Sequence, residues 1–188
     1  MQEVALKCLA HIATGSNWQK HRIVQEDFTT GRGIRTALDS KPKNESILCN
    51  AACLTANLAV SDEDQGGLQE LLDRLCDILR SDTQNSDLIV NVVRGIANFS
   101  KFQQNSSKLM SVLPVIVFKC IKSSKPYIKL HGMRAIMHLL SHRPNDTAKE
   151  LVRDGAGELL ESMSRLPSLM TTVHSALLDQ APCIVRPM

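Results

Sequence analysis

The chain of 188 residues is 43% hydrophobic and 22% charged, which is ordinary globular usage and argues against a disordered or fibrous protein. Its aromatic content is only 3%, so the sequence predicts a core of Leu, Ile, Val, Met and Ala, as in helices packed on helices. The net charge of +3 is too small to indicate a nucleic-acid-binding protein by itself.

The sequence shows no pattern typical of secretion or membrane insertion. Residues 1–20 hold no continuous apolar run, and the longest apolar run, residues 110–118, is far shorter than the ~20 residues of a membrane span. The six cysteines are scattered through apolar helical patterns, so they are predicted to be reduced and buried, except Cys183, which is predicted to be exposed. We therefore expect a soluble protein of the cytoplasm, the nucleus or both.

One helical pattern recurs five times along the chain. In chain order, the segments span residues 6–13, 50–59, 91–100, 131–140 and 173–181. Each carries a polar residue near its end, and these ladder residues are His11, Asn57, Asn98, His138 and Asp179. Successive ladder residues are 46, 41, 40 and 41 positions apart. A period so regular indicates a repeat protein.

Between these segments, a polar turn leads into two shorter amphipathic pieces. In residues 145–166 the first piece ends at Gly155, where a left-handed residue would stop the helix, and a second helical pattern follows. Residues 66–79 and 108–121 have the same shape. Each unit is therefore predicted to contain a short first helix, a second helix and a longer third helix.

Two segments resemble armadillo repeats: NDTAKELVRDGAGELL at residues 145–160 and NAACLTANLA at residues 50–59. The resemblance covers nearly the whole chain and favours this family over the related two-helix HEAT repeats. It implies an all-α fold, a right-handed α-solenoid of about four armadillo repeats preceded by one partial repeat, in a single domain of residues 1–181. The predicted parts are a lone third helix at 2–14, repeats at 15–60, 61–101, 102–142 and 143–181, and a short tail at 182–188.

Polar residues line one face of each predicted third helix. Positions three, four and seven apart share a helix face, so Asn91, Arg94 and Asn98 form one stripe. Ile89, Val93 and Ile96 lie on the opposite face, which is predicted to be buried. The neighbouring segments repeat this arrangement. The candidate groove residues are Lys7, His11, Asn50, Asn57, Asn91, Arg94, Asn98, His131, Arg134 and His138.

The resemblance implies a function for this face. In armadillo proteins the third helices line a concave groove that binds extended peptides, and asparagines matching Asn57 and Asn98 bond the peptide main chain. An Asn amide offers a donor and an acceptor, as an extended backbone requires. Nuclear-import adaptors of this family carry a Trp four residues before the ladder Asn, whereas this chain has Arg94 and Arg134 there. The groove more closely resembles that of the catenins, which implies an extended acidic segment of a protein partner, paired with Arg94, Arg134 and Lys7.

Three other interpretations remain open. In the first, the ladder asparagines brace neighbouring helices instead of holding a peptide. In the second, the chain is a structural segment of a larger scaffold that acts through its loops or ends, including self-association through its incomplete N-terminal repeat. In the third, a basic face binds nucleic acid, which the modest net charge disfavours. That face would consist of Lys119, Lys122, Lys125 and Lys129 around Tyr127.

No pattern indicates catalysis or a bound cofactor. The glycine clusters at 31–33, 66–67 and 155–157 lack the preceding strand and the Gly-Lys-Ser/Thr ending of a phosphate loop. Pairs such as Cys49 with Cys53 fall short of the four ligands that a structural zinc site needs. We therefore predict a non-enzymatic interaction scaffold with no cofactor and no metal.

Overall fold

The computed structural model describes residues 1–39 and 44–154. Within these residues the chain forms ten α-helices: α1 Gln2–Ile12, α2 Asn17–Thr29, α3 Gly33–Leu38, α4 Glu45–Leu58, α5 Gln69–Arg80, α6 Ser86–Phe99, α7 Ser106–Met110, α8 Leu113–Val115, α9 Pro126–His142 and α10 Pro144–Arg153. A 3-10 turn, Gln103–Asn105, precedes α7, and a π-helical segment, Ile116–Ile121, continues α8. The described residues contain no β-strand.

The predicted third helices, α1, α4, α6 and α9, form one layer. α4 packs between α1 and α6, and α6 packs between α4 and α9. The shorter helices pack on this layer, with α5 against α6 and the π-helical segment against α9. The predicted all-α solenoid is confirmed. The predicted ladder residue Asp179 and the predicted exposed thiol of Cys183 lie outside the described residues.

Local sequence signals explain where several helices begin. Ser16 caps α2, since its side chain accepts from the backbone N–H of Gln19 while the Gln19 side chain accepts from the backbone of Ser16. Asn85 caps α6 by accepting from the backbone N–H of Leu88 at 3.0 Å. These caps fix the entry of the chain into a first helix and into a third helix.

A left-handed turn joins α2 to α3. Gly31 and Arg32 have φ angles of 99° and 58°, and only the glycine adopts such an angle without a steric penalty. Asp27 stabilises the turn, because its Oδ1 accepts from the backbone N–H of Ile34 at 2.9 Å. The turn lets two short helices pack beside α4 within about twenty residues.

The prediction of a short first helix in the repeat at 61–101 is wrong, because residues 62–68 form turns and bends. The fully buried side chain of Gln65 donates to the carbonyls of Ala59 at 3.0 Å and Ser61 at 2.6 Å. Ser61 Oγ donates to Asp64 Oδ2 at 2.7 Å. Side-chain bonds of this kind compete with helical backbone bonds, and the following Gly66 and Gly67 also disfavour a helix.

The core is aliphatic, as the composition predicts. Phe99 is the only aromatic side chain fully buried among the described residues, while Trp18 and Phe118 are 70% and 67% exposed. Burial raises the pKa of the Cys76 and Cys120 thiols to about 12. The prediction that the cysteines are reduced and buried is wrong for three of them: Cys8 is exposed, Cys49 is only half-buried, and Cys53 is disulfide-bonded. Cys8 lies off the buried side of α1, which carries Leu6 and Ala10.

None of the described helices is both long enough and apolar enough to cross a bilayer. In the same part of the chain, no three His, Cys, Asp or Glu side chains cluster closely enough to hold a metal ion.

Candidate functional site

All ten candidate groove residues lie on the third helices. His11 is exposed, Asn57 and His131 are buried at 8% and 4% exposure, and the other seven are half-buried. The opposite face of α6 is buried as predicted, with Val93 and Ile96 fully inaccessible. The polar face therefore runs across α1, α4, α6 and α9 as a continuous surface, which we call the groove face.

Three ladder residues tie each third helix to the one before it. The side-chain amide of Asn57 donates to the carbonyl of Ala10 at 2.8 Å, and that of Asn98 donates to the carbonyl of Ala56 at 2.8 Å. Nδ1 of His138 lies 3.2 Å from the carbonyl of Ala97. The same nitrogen lies 3.0 Å from Oγ of Ser100, whose hydroxyl hydrogen is donated to the Ala97 carbonyl. Because both neighbours then act as acceptors, this arrangement is consistent with a proton on Nδ1 of His138. Each carbonyl acceptor immediately precedes the ladder residue of the preceding helix, so the same bond recurs at every described repeat boundary.

One turn earlier on α6 and α9, two arginines lie among neutral polar groups. Nη2 of Arg94 donates to the carbonyl of Cys53 and to Oδ1 of Asn91, both at 3.3 Å. Nη2 of Arg134 donates to Oδ1 of Asn98 at 3.1 Å. Asn98 thus receives a bond from the next third helix while it donates to the previous one.

His131 is a neutral member of the same cluster. Nη1 of Arg134 lies 3.1 Å from His131 Nδ1, and a guanidinium can only donate, so this nitrogen is an unprotonated acceptor. Burial, followed by the charges of Arg134 and Arg94, lowers the pKa of His131 to about 3. Burial also lowers the pKa of His138. His131 therefore adds no positive charge to this part of the groove face near neutral pH.

The side-chain amide of Asn98 has a second hydrogen beyond its bracing contact. An Asn amide nitrogen carries two hydrogens, and the bond from Asn98 to Ala56 uses one of them. The interpretation that ladder asparagines brace neighbouring helices therefore has direct support in these contacts. It does not conflict with a contact from the second hydrogen to a ligand.

A second set of bridging polar residues, which the helical pattern did not indicate, lies where the third helices end. Asn105, fully buried, donates to the side chain of Gln65 at 2.8 Å and to the carbonyl of Phe99 at 3.0 Å. It also accepts from Gln69 Nε2 at 2.7 Å. Gln65 and Asn105 are one repeat, 40 residues, apart, and that spacing was the available signal. In a turn, however, such residues ordinarily indicate solvent exposure.

The lysine face is partly engaged within the protein. Nζ of Lys119 donates to the carbonyls of Arg80 and Ser81 at the end of α5. The ammonium of Lys122 lies 5.5 Å from the ring centroid of Phe118. These contacts direct two of the four lysine charges toward the protein and do not favour an interface with nucleic acid.

Solved structures share this fold at low sequence identity. A designed armadillo repeat protein in complex with peptide (KR)4 aligns at a TM-score of 0.74 with 23% identity, covering 94% of this chain and 74% of that one. An engineered protein aligns at 0.75 with 18% identity, covering 94% and 71% of the two chains. A further designed armadillo repeat protein aligns at 0.53 with 20% identity, covering 94% and 92%. No protein-family model and no curated protein sequence matches the chain.

Proposed function

We propose that this protein is a non-enzymatic interaction scaffold whose groove face binds an extended, acidic segment of a protein partner. The observation that carries the proposal is the continuous groove face across four third helices, which presents Lys7, Arg94 and Arg134 among neutral amides and imidazoles. The armadillo neighbour that holds a peptide supports a peptide as the kind of ligand.

The charge of the groove face supports an acidic rather than a basic ligand. The neighbour's peptide, (KR)4, consists of alternating cations. In this chain Arg94 and Arg134 lie four residues before the ladder residues Asn98 and His138. Their positive charges would repel such a peptide and attract carboxylates. Because both guanidiniums are half-buried, their interactions with a ligand are less screened by solvent than those of surface lysines.

Binding of defined peptide pools tests the proposal. We would measure fluorescence anisotropy with two degenerate 12-residue pools, one with Glu and one with Lys at alternate positions. We expect the wild-type chain to bind the Glu pool in preference to the Lys pool. The double substitution Lys7→Gln and Arg94→Gln should weaken Glu-pool binding at least about tenfold, since each charge-assisted hydrogen bond contributes roughly 1.5–3 kcal/mol.

The matched control removes two positive charges outside the groove face, by Arg22→Gln on α2 and Lys122→Gln beyond the π-helical segment. Both side chains lie on exposed surface, so this variant should bind the Glu pool as the wild type does. Equal binding of the two pools by the wild type, or equal losses in the two double variants, would contradict the proposal.

A second candidate function is association through the N-terminal end, favoured by the apolar side of α1. Ile12 is 44% exposed. Ile12 directly follows the ladder residue His11. In α4, α6 and α9 the residue that directly follows the ladder residue is fully buried; these residues are Leu58, Phe99 and Leu139. We propose that this side of α1 packs against a second copy of the chain.

Analytical ultracentrifugation across micromolar concentrations tests self-association. A dimer of the 20.8 kDa chain is expected for the wild type, and Ile12→Glu should give a monomer, since it places a charge in an apolar contact. Val152→Glu on α10 replaces another exposed apolar residue and should leave the dimer intact. A monomeric wild type, or a dimer that persists in Ile12→Glu, would rule this function out.

A further inference from the structure

A regular apolar seam runs along α1, opposite its buried side. Its residues are spaced by four, three and four positions, and we call them the α1 seam: Met1, Ala5, Cys8 and Ile12. All four are exposed, Met1 fully and Ile12 at 44%, whereas Leu6 and Ala10 on the other side are buried. Since a helix turns about 100° per residue, the four seam residues share one face of α1.

The same positions are buried in every later third helix that the structure describes. Counted from the ladder residue, the last three seam residues correspond to Ala51, Leu54 and Leu58 in α4, to Val92, Gly95 and Phe99 in α6, and to Gly132, Ala135 and Leu139 in α9. A Cβ at Gly95 would lie 3.5 Å from Cα of Ala56 on α4, so this side of α6 faces the preceding third helix. The α1 seam therefore continues the packing surface that joins the third helices to one another.

The α1 seam is also complementary to itself. Its spacing matches the a and d positions of a coiled coil, in which apolar residues recur every 3.5 positions. When two copies of α1 lie antiparallel, Met1 meets Ile12 of the second copy and Ala5 meets Cys8 of the second copy. The small residues at the centre allow the two helices to approach closely, and the larger residues fill the two ends. No seam residue carries a charged side chain, so no like charges oppose each other within the seam.

The helix dipole favours the antiparallel direction. Parallel helices would place their two positive N-terminal ends side by side, whereas antiparallel helices place each end beside the opposite end of the other. A two-fold pair uses the same patch on both copies and closes without leaving a free patch. We propose that two copies of the chain associate by antiparallel packing of their α1 seams, about a two-fold axis that passes between Ala5 and Cys8. This inference rests on the proposed self-association.

The pairing joins the groove faces of the two copies. Lys7 and His11 flank the α1 seam on its groove side. A two-fold axis that lies in the interface, perpendicular to the paired helices, keeps this side of both copies on the same side of the dimer. The two groove faces then form one surface, with the third helices of the second copy running in the opposite direction.

Oxidative cross-linking tests the direction of the pairing. Cys8 lies next to the two-fold axis, so its two copies are about 4–5 Å apart along the helices and within reach of a disulfide. The two copies of residue 12 are about 16 Å apart along the helices, which is too far for a disulfide. The oxidant is oxidised glutathione, whose disulfide is reduced to two glutathione thiols as two protein thiols form one disulfide.

The wild-type chain should become mostly a disulfide-linked dimer on a non-reducing gel. Trypsin releases Cys8 in residues 8–20, so mass spectrometry of that fragment locates the link. The double variant Ile12→Cys with Cys8→Ala, which presents its thiol at the end of the same seam, should stay unlinked. Ile12→Glu keeps Cys8 but separates the copies, so it should cross-link at least about tenfold more slowly than the wild type.

Sedimentation of the wild type before oxidation separates this inference from the proposed self-association. A monomer would overturn both. A dimer that fails to cross-link through Cys8, or one that cross-links at position 12 in the double variant, would overturn the antiparallel pairing and leave self-association in place. An Ile12→Glu variant that cross-links as fast as the wild type would show that chance collisions join the thiols, and it would overturn the pairing as well.

Discussion

Replacing Asn105 with Ala is expected to lower the free energy of unfolding by about 2–4 kcal/mol. The substitution would leave the side-chain oxygen of Gln65 without its hydrogen bond. It would also remove one of two hydrogen bonds to the Phe99 carbonyl and one of two acceptors of the Gln69 amide. Asn105 and Gln65 are both fully inaccessible to solvent. Because each buried polar group left unsatisfied costs roughly 1–3 kcal/mol, the loss should far exceed that of an ordinary surface change.

Urea denaturation followed by circular dichroism at 222 nm measures this loss. The control is Gln104→Ala, which shortens an exposed side chain in the same turn and should change the free energy of unfolding by less than about 0.5 kcal/mol. An Asn105→Ala variant that unfolds within about 1 kcal/mol of this control would show that the polar network at the end of α6 adds little to stability.

Gly132→Ala is expected to destabilise the protein by about 1–3 kcal/mol, whereas Gly95→Ala should be nearly neutral. A Cβ at position 132 would lie 2.6 Å from the Cβ of Cys120, an atom fixed to the backbone of the π-helical segment. At position 95 it would lie 2.6 Å from Cδ1 of Leu75, the far end of a flexible side chain. Both substitutions gain up to about 1 kcal/mol of helix propensity. The difference between their free energies of unfolding therefore reports how easily the neighbouring atom moves away from the new methyl group.

The two glycine variants serve as controls for each other, since both lie inside a third helix where it contacts the second helix of its own repeat. Thermal melts at equal protein concentration should place Gly132→Ala several degrees below Gly95→Ala. Equal melting temperatures, or the reverse order, would mean that α9 can move away from Cys120 at little cost.

Much of the fold could be predicted from the sequence because the repeat period is carried by residues with a clear helical pattern. The spacing of the ladder residues predicted the third helices, and Val93 and Ile96 lie on the buried face that the period required. The aliphatic core followed from the low aromatic content. The candidate groove residues lie on α1, α4, α6 and α9, and that they form a ligand-binding groove is a proposal.

The features that could not be predicted from the sequence are the partners and directions of individual side-chain hydrogen bonds. The stripe predicted that Asn98 shares a face with Arg94, but not that its amide donates to Ala56 and accepts from Arg134. The repeat pattern predicted a short first helix in the repeat at 61–101, whereas the side chain of Gln65 donates there to the backbone carbonyls of Ala59 and Ser61. A polar residue in a turn looks the same in a sequence whether it is solvated or buried, and only packing distinguishes the two.

The bonds that join Asn57 to Ala10, Asn98 to Ala56 and His138 to Ala97 also determine the mechanics of the groove face. Because each spans one boundary between third helices, they resist any change in the distance from one helix to the next. The spacing of the third helices along the solenoid axis is therefore constrained, and little conformational entropy of the protein would be lost if the proposed peptide binds. Under the proposed function, the interval between these bonds would set the spacing of the side chains that a bound peptide presents to the groove face.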